Sequence, residues 1–238
     1  MAFILASLLR THIYDENGNR VPVAFYDENG ILQTIKTFLP KTDSLVVVAN
    51  DPFDFADNDQ KIFTVAQSFT MAGMPFNRST VIDERNKTAA ADVIKTADLI
   101  ILSGGKCLRQ NNFFNEINLK SLLNAHRGII IGVSAGAMNL CKTVANFPEE
   151  QCDLTEPRWF DGMGLYGGIV IPHFDGETPA YQFDCGDIDP VRDYVLPMSN
   201  TADFIGLPNG SFVTVDGGAV SYHGDIYKIS KGEVTKIN

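Results

Sequence analysis

No stretch of the 238 residues reaches the roughly 18 consecutive apolar residues that a membrane-spanning helix needs. No Lys/Arg-rich run is present, and 19 basic residues face 29 acidic ones, for a formal net charge of −10. A chain so charged is not expected to take a nucleic-acid backbone or an anionic membrane as its main partner. The four cysteines, at 107, 141, 152 and 185, form no CxxC pair and have no histidine at zinc-finger spacing, so no structural metal site is expected. Reduced, partly buried thiols of a cytoplasmic protein are the expectation instead. The opening MAFILASLLRT lacks a basic n-region and a small-residue cleavage site, so it reads as a first buried strand rather than a signal peptide. No Pro/Ser/Gly-rich linker divides the chain, and residues 1–238 are expected to form one domain.

What is present is an alternation. Hydrophobic residues make up 45% of the sequence, enough for a sizeable core at this length. Buried-strand runs are expected at 3–7 (FILAS), 45–50 (LVVVAN), 79–82 (STVI), 99–105 (LIILSGG) and 128–133 (GIIIGV). Helical spacing falls between them, over 31–38, 60–73, near 87–96 and over 113–126. Continuous Val/Ile/Leu strands alternating with helices indicate an α/β protein with a mostly parallel sheet covered on both faces. From 211 onward the pattern changes to short strands with alternating polarity around DGG, HGD and KGE turns, an antiparallel β meander. Its edge strands could support a homodimer, though nothing specifies one. The pentapeptide YDENG occurs at 14–18 and again at 26–30 and reads as two turns flanking a short hairpin.

The segment GIIIGVSAGAMNL, 128–140, carries the chemistry. Gly132-Val133-Ser134-Ala135-Gly136 fits G-x-S-x-G with a buried strand before it and an amphipathic helix after it. A serine there sits on a sharp strand-to-helix turn, where small neighbours are required because bulk would collide with crowded backbone. Such a turn projects Oγ at the C-terminal edge of the sheet, where open α/β folds place ligands. The amide of Ala135, at the helix start, can then stabilise a developing oxyanion. Ser103-Gly104-Gly105 ends the preceding strand at the same edge, and Gly105 is the expected second oxyanion donor. A simple strand-terminating turn would leave the same signature.

A serine nucleophile needs a base within reach, and four histidines are available. His126 lies between a helix and the following strand, at the opposite edge of the sheet. His12 adjoins an acidic loop, and His223 sits in a His-Gly-Asp turn where a solvated role is the default. His173 follows the apolar GGIVIP, 167–172, and is the candidate placed to meet Ser134.

With these residues in hand, LIILSGG, IIIGVSAGAMNL, FDGMGLYGGIVIPHF (160–174) and FIGLPNGSFVTV (204–215) together resemble the peptidase E (aspartyl dipeptidase) family of serine peptidases. The resemblance runs from about residue 97 to 230. It implies a class I glutamine amidotransferase-like, flavodoxin-like fold with serine in place of the cysteine of those enzymes. It also implies a Ser134–His173 pair, oxyanion amides from the glycine loop and Ala135, short-peptide substrates, an acyl-enzyme, and no metal or cofactor. Three positions depart from the family. Asn209 stands where an acidic residue usually orients the histidine, and an amide oxygen can do the same with less stabilisation of the imidazolium. Glu156, in TEPRWFD, aligns with a family acidic residue and is the alternative third member. The arginine expected after Gly176-Glu177-Thr178 is replaced by Pro179, which leaves Arg192 as the positive charge in the acidic stretch FDCGDIDPVRD, and Lys106 stands after the glycine loop where the family favours a small polar residue; Arg192 and Lys106 are the candidate contacts for a substrate carboxylate, and Lys106 could equally be solvated. The acidic segment 184–193 could equally repel acidic peptides or select basic ones. Alternative readings are a non-catalytic binding or regulatory relative, and an amidase or cyanophycinase-like hydrolase; a standard α/β-hydrolase would place its histidine late in the chain, where only His223 is available.

Overall fold

A computed structural model describes residues 2–39, 41–148, 151–176 and 187–238. Its centre is a seven-stranded sheet. Five strands are mutually parallel: β1 (Ala2–Ala6), β2 (Ser44–Val48), β3 (Arg78–Ile82), β4 (Leu99–Leu102) and β5 (Ile129–Val133). A second, four-stranded sheet contains β6 (Val170–Pro172) and β7 (Phe204–Leu207), which are parallel to each other. The last four strands are β8 (Phe212–Asp216), β9 (Ala219–His223), β10 (Tyr227–Ser230) and β11 (Glu233–Lys236). The large sheet runs β9-β8-β1-β5-β4-β2-β3 and the small one β6-β7-β10-β11.

The expected C-terminal meander is therefore divided. The hairpin β8–β9 extends the large sheet by pairing antiparallel with β1, while β10–β11 pairs with β7 in the small sheet. Period-2 alternation shows that one face of a strand is buried but not which sheet receives it.

The inner parallel strands β1, β2, β4 and β5 are almost wholly apolar and buried because both faces are covered. Phe3, Leu5, Val46, Val48, Ile100 and Leu102 point into one core, shared with the small sheet and with helices α3 (Ala90–Thr96), α4 (Cys107–Glu116), α5 (Leu119–Ala125) and α6 (Ala135–Leu140). The alternate residues Ile4, Leu45, Val47, Leu99 and Ile101 enter a second core under α1 (Ile31–Phe38) and α2 (Phe55–Met71). Helix α1 buries Ile31 and Ile35, one turn apart, as its amphipathic spacing requires. Helix α2 starts earlier than its apolar pattern suggests, because the Asp54 side chain accepts a hydrogen bond from the Asp57 amide at 3.2 Å and caps it. The single helix expected over 113–126 is two, interrupted at Asn118, whose φ of 52° lies in the left-handed region. The first YDENG forms the turn between the paired strands His12–Tyr14 and Arg20–Pro22. The second leads into α1, with Asp27 accepting from the Leu32 amide at 2.7 Å and Asn29 donating to the Gly210 carbonyl at 3.1 Å.

Candidate active site

Parallel register brings the candidate residues to one edge. Ala6 pairs with Val133, so Ser7 and Ser134 leave adjacent strands side by side. Leu102 pairs with Gly132, which puts the loop Ser103-Gly104-Gly105 on the other flank of Ser134. In the small sheet Pro172 pairs with Leu207, so His173 and the turn containing Asn209 also emerge together.

Ser134 has φ 52° and ψ −115°, a conformation that costs a non-glycine residue on the order of 1–3 kcal/mol. Its surroundings hold it there. The Ser134 amide donates to the Ala6 carbonyl at 2.9 Å. A Cβ added at Gly132 would lie 2.6 Å from the Gly136 carbonyl oxygen, and one added at Gly136 would overlap the Leu102 carbonyl. The two glycines of the motif are thus required by the close approach of β5, α6 and β4. On the other flank, a Cβ at Gly104 would stand 3.1 Å from Ser134 Cβ, so the glycine loop lies directly against the serine.

Ser134 Oγ is 2.8 Å from His173 Nε2, and His173 Nδ1 is 2.6 Å from Asn209 Oδ1. An acceptor at Nδ1 places the ring proton there and leaves Nε2 free to accept from the serine hydroxyl. Ser7, fully buried, completes the arrangement: its Oγ accepts from the His173 amide at 2.8 Å and donates to Asn209 Oδ1 at 3.4 Å. His173 has φ 60°, a second left-handed residue in the same cluster. Burial holds its imidazole pKa below the usual histidine value, partly offset by the hydrogen bond to Asn209. Burial thus favours the neutral ring that a base requires.

The other sequence candidates fall elsewhere. Glu156 accepts from Asn146 Nδ2 at 3.0 Å, and Lys106 Nζ lies 2.7 Å from Asp153 Oδ2. Both line a small cavity on the far side of Gly105 and Ala135, toward α4 and α6, so Asn209 and not Glu156 is the residue at the imidazole. Arg192 is exposed and paired with Asp193 at 2.7 Å, outside the cleft at Ser134. The positions Glu177, Thr178, Pro179 and Cys185 lie outside the described residues, as does most of the acidic stretch before Asp187. His126 is buried at the start of β5, away from Ser134. His223 is not solvated in a turn: its ring stacks on Phe212 at 4.3 Å, within β9.

On the α2 side, Ser134, His173 and Gly105 open into a cleft of about 280 Å³, close to the lower end of the ~300–1,000 Å³ range of small-ligand sites. Leu9, Val47, Val65 and Ile101 supply apolar walls. Three further lining residues, His12, Arg20 and Lys61, come from the N-terminal hairpin and α2 and were not singled out by sequence for this site. Ser7 was missed as well. It had a usable signal, since it follows a parallel strand at the edge where Ser134 emerges.

This arrangement sets a serine on a strained strand-to-helix turn within hydrogen-bond reach of a histidine at the edge of a parallel sheet. A family model for peptidase family S51 matches residues 24–222. The chain belongs to that family. Peptidase E of Escherichia coli K12 / DH10B is 27% identical over 134 residues, covering 55% of this chain and 57% of that protein. Peptidase E of Salmonella arizonae is 27% identical over 133 residues, with the same coverage. The alignment thus spans a little over half the length of these curated relatives. Among solved structures, a peptidase from an acI-B1 Actinobacterium superposes with a TM-score of 0.66 at 16% identity, covering 100% of this chain and 93% of that one. A putative peptidase E from Listeria monocytogenes EGD-e gives 0.61 at 13% identity, covering 93% and 96%. At these identities the likeness is one of fold.

Proposed function

We propose that the protein is a serine-type peptidase that hydrolyses dipeptides or short peptides through an acyl-enzyme on Ser134. The observation that carries this reading is the hydrogen-bonded run Ser134–His173–Asn209, at 2.8 Å and 2.6 Å, opening into a ligand-sized cleft. In the proposed cycle Ser134 Oγ attacks the scissile carbonyl carbon while its proton passes to His173 Nε2. In this reading the oxyanion is held by the amides of Gly105, in the loop that lies against Ser134, and of Ala135, at the start of α6. His173 then delivers the proton to the departing amine as the C–N bond breaks. A water, deprotonated by the same Nε2, attacks the ester carbonyl and releases the acid, returning the proton to Ser134. Asn209 keeps Nδ1 protonated throughout, and Ser7 fixes the amide that does so. The fold is read as the class I glutamine amidotransferase-like type, with serine where those enzymes use cysteine.

The test pairs wild type with Ser134→Ala. Wild type should be labelled at Ser134 by a fluorophosphonate probe and should cleave members of a dipeptide panel. Ser134→Ala should lose labelling and fall in kcat by a factor on the order of 10⁴–10⁶. An unlabelled wild type that cleaves nothing would leave a binding protein on a peptidase fold.

A further inference from the structure

The pentapeptide YDENG occurs twice, at 14–18 and 26–30, and its two copies fold differently. Asn29, in the second copy, has a positive φ of 54°, whereas its counterpart Asn17 does not. A left-handed residue that carries a Cβ costs free energy, even if asparagine tolerates it better than most. The local sequence is the same in both copies, so the difference comes from what each one touches.

The first copy closes on itself. Asp15 accepts from the amides of Asn17 and Asn19 at 2.9 and 2.8 Å, and the Gly18 amide donates to the Asp15 carbonyl at 3.0 Å. The second copy instead reaches across the chain to residues 208–211. Asn29 Nδ2 donates to the Gly210 carbonyl at 3.1 Å. Glu28 lies against Gly210 so closely that a Cβ added there would overlap its carboxylate. Its Oε2 is buried at that contact, 3.3 Å from Arg10 Nε, in the segment that follows β1. A Cβ added at Gly224 would overlap the Asn29 amide nitrogen, so two glycines stand bare where this copy packs.

The turn at 208–211 carries Asn209, the partner of His173 Nδ1, and takes the chain from β7 in the small sheet to β8 in the large one. Ser7 holds it from one side, with its amide donating to the Ser211 carbonyl at 3.2 Å and its hydroxyl to Asn209 Oδ1. Glu28 and Asn29 hold it from another. We propose that Glu28 and Asn29 are positioning residues, which fix the Asn209 turn and through it the ring of His173. They act through Asn209 and not on the substrate. The proposal rests on the Ser134–His173–Asn209 reading for its place in catalysis, and it gives the second YDENG a task that the first does not share.

The repeat supplies its own control. YDENG is changed to YDAGG in each copy separately, as Glu16→Ala with Asn17→Gly and as Glu28→Ala with Asn29→Gly. The second-copy variant should lose roughly ten-fold in kcat with KM unchanged, while the first-copy variant stays within about two-fold of wild type. Glycine accepts the left-handed backbone at 29, so the fold should survive the change. Asn29→Asp, which keeps that backbone preference and turns the donor into an acceptor, gives the same reading should the double change fold poorly. Combined with Asn209→Ala, the second-copy changes should cost little further, because they act through that side chain. Equal losses from the two copies, or losses that multiply in full with Asn209→Ala, overturn the proposal. Positioning is also read without turnover, from the low-field NMR resonance of the proton on His173 Nδ1. That resonance should be alike in wild type and the first-copy variant and shifted or broadened in the second-copy variant. A resonance unchanged there overturns the proposal. A wild type that cleaves no peptide but shows this dependence would sink the peptidase reading and leave the positioning role standing.

Discussion

The spaces on the two sides of Gly105 and Ala135 are built from different parts of the chain. On the α4–α6 side lie Lys106 ion-paired with Asp153 and Glu156 hydrogen-bonded by Asn146, each already engaged by a neighbour close in the fold. On the α2 side lie Ser134, His173, Arg20 and Lys61 sharing the one carboxylate of Asp57, and the Thr64 hydroxyl, unpartnered among the described residues, brought together from β1, the N-terminal hairpin, α2, β5 and β6. A polar cluster whose members satisfy one another has little left to offer a ligand, whereas an unbalanced one stores interaction energy for it. The first side is a stabilising wall, and the second is where chemistry is expected.

Substitutions on the two sides should separate accordingly. The largest loss is expected for His173→Gln, which removes the base: kcat should fall on the order of 10⁴-fold or more with KM little changed, in steady-state assays at saturating substrate. A KM-dominated loss would place His173 in binding rather than proton transfer. Ser7→Ala comes next. It removes the partner of the His173 amide and frees Asn209 to rotate, at about 1–2 kcal/mol, or roughly 5–30-fold in kcat. A purely structural role for Ser7 would lower the melting temperature and leave the kcat/KM split and the acid limb of the pH profile untouched.

Asn209→Asp should act in the opposite direction. Burial lowers the pKa of His173 from its usual value, so wild-type activity should be present above that pKa and decline as pH falls through it. A carboxylate at 209 favours the imidazolium and raises this pKa, moving the acid limb to higher pH. On the alkaline plateau kcat should rise about ten-fold, since imidazolium formed in the transition state gains a counter-charge. A limb that stays in place would mean that another group controls it. Across the ridge, Glu156→Gln should change kcat/KM by less than about three-fold. A drop as large as that of Ser7→Ala would erase the distinction between the two sides.

The inner strands of the large sheet were legible because a doubly covered strand is apolar at nearly every position, and the G-x-S-x-G turn because its glycines are demanded by contacts with Leu102 and with each other. His173 could be reached by elimination among four histidines. The rest was hidden for definite reasons. The break at Asn118 leaves the helical spacing on either side intact, so periodicity passes over it. Glu156 looked equivalent to Asn209 because alignment with a family orders acidic residues along the chain and not around the imidazole. Arg20 and Lys61 could not be paired from sequence, since their meeting depends on the hairpin docking onto α2 across roughly forty residues of chain.

Ser134 belongs to the large sheet, whereas His173 and Asn209 are delivered by the small one. On the proposed mechanism, function is thus a property of the seam between two sheets and not of either alone. A disturbance that loosens the small sheet by an ångström, far too little to register as unfolding, would part the proton donor from its acceptor. Catalytic competence is then the most sensitive gauge of how well the two halves fit. It should fade in mild denaturant before far-ultraviolet dichroism records any loss of secondary structure.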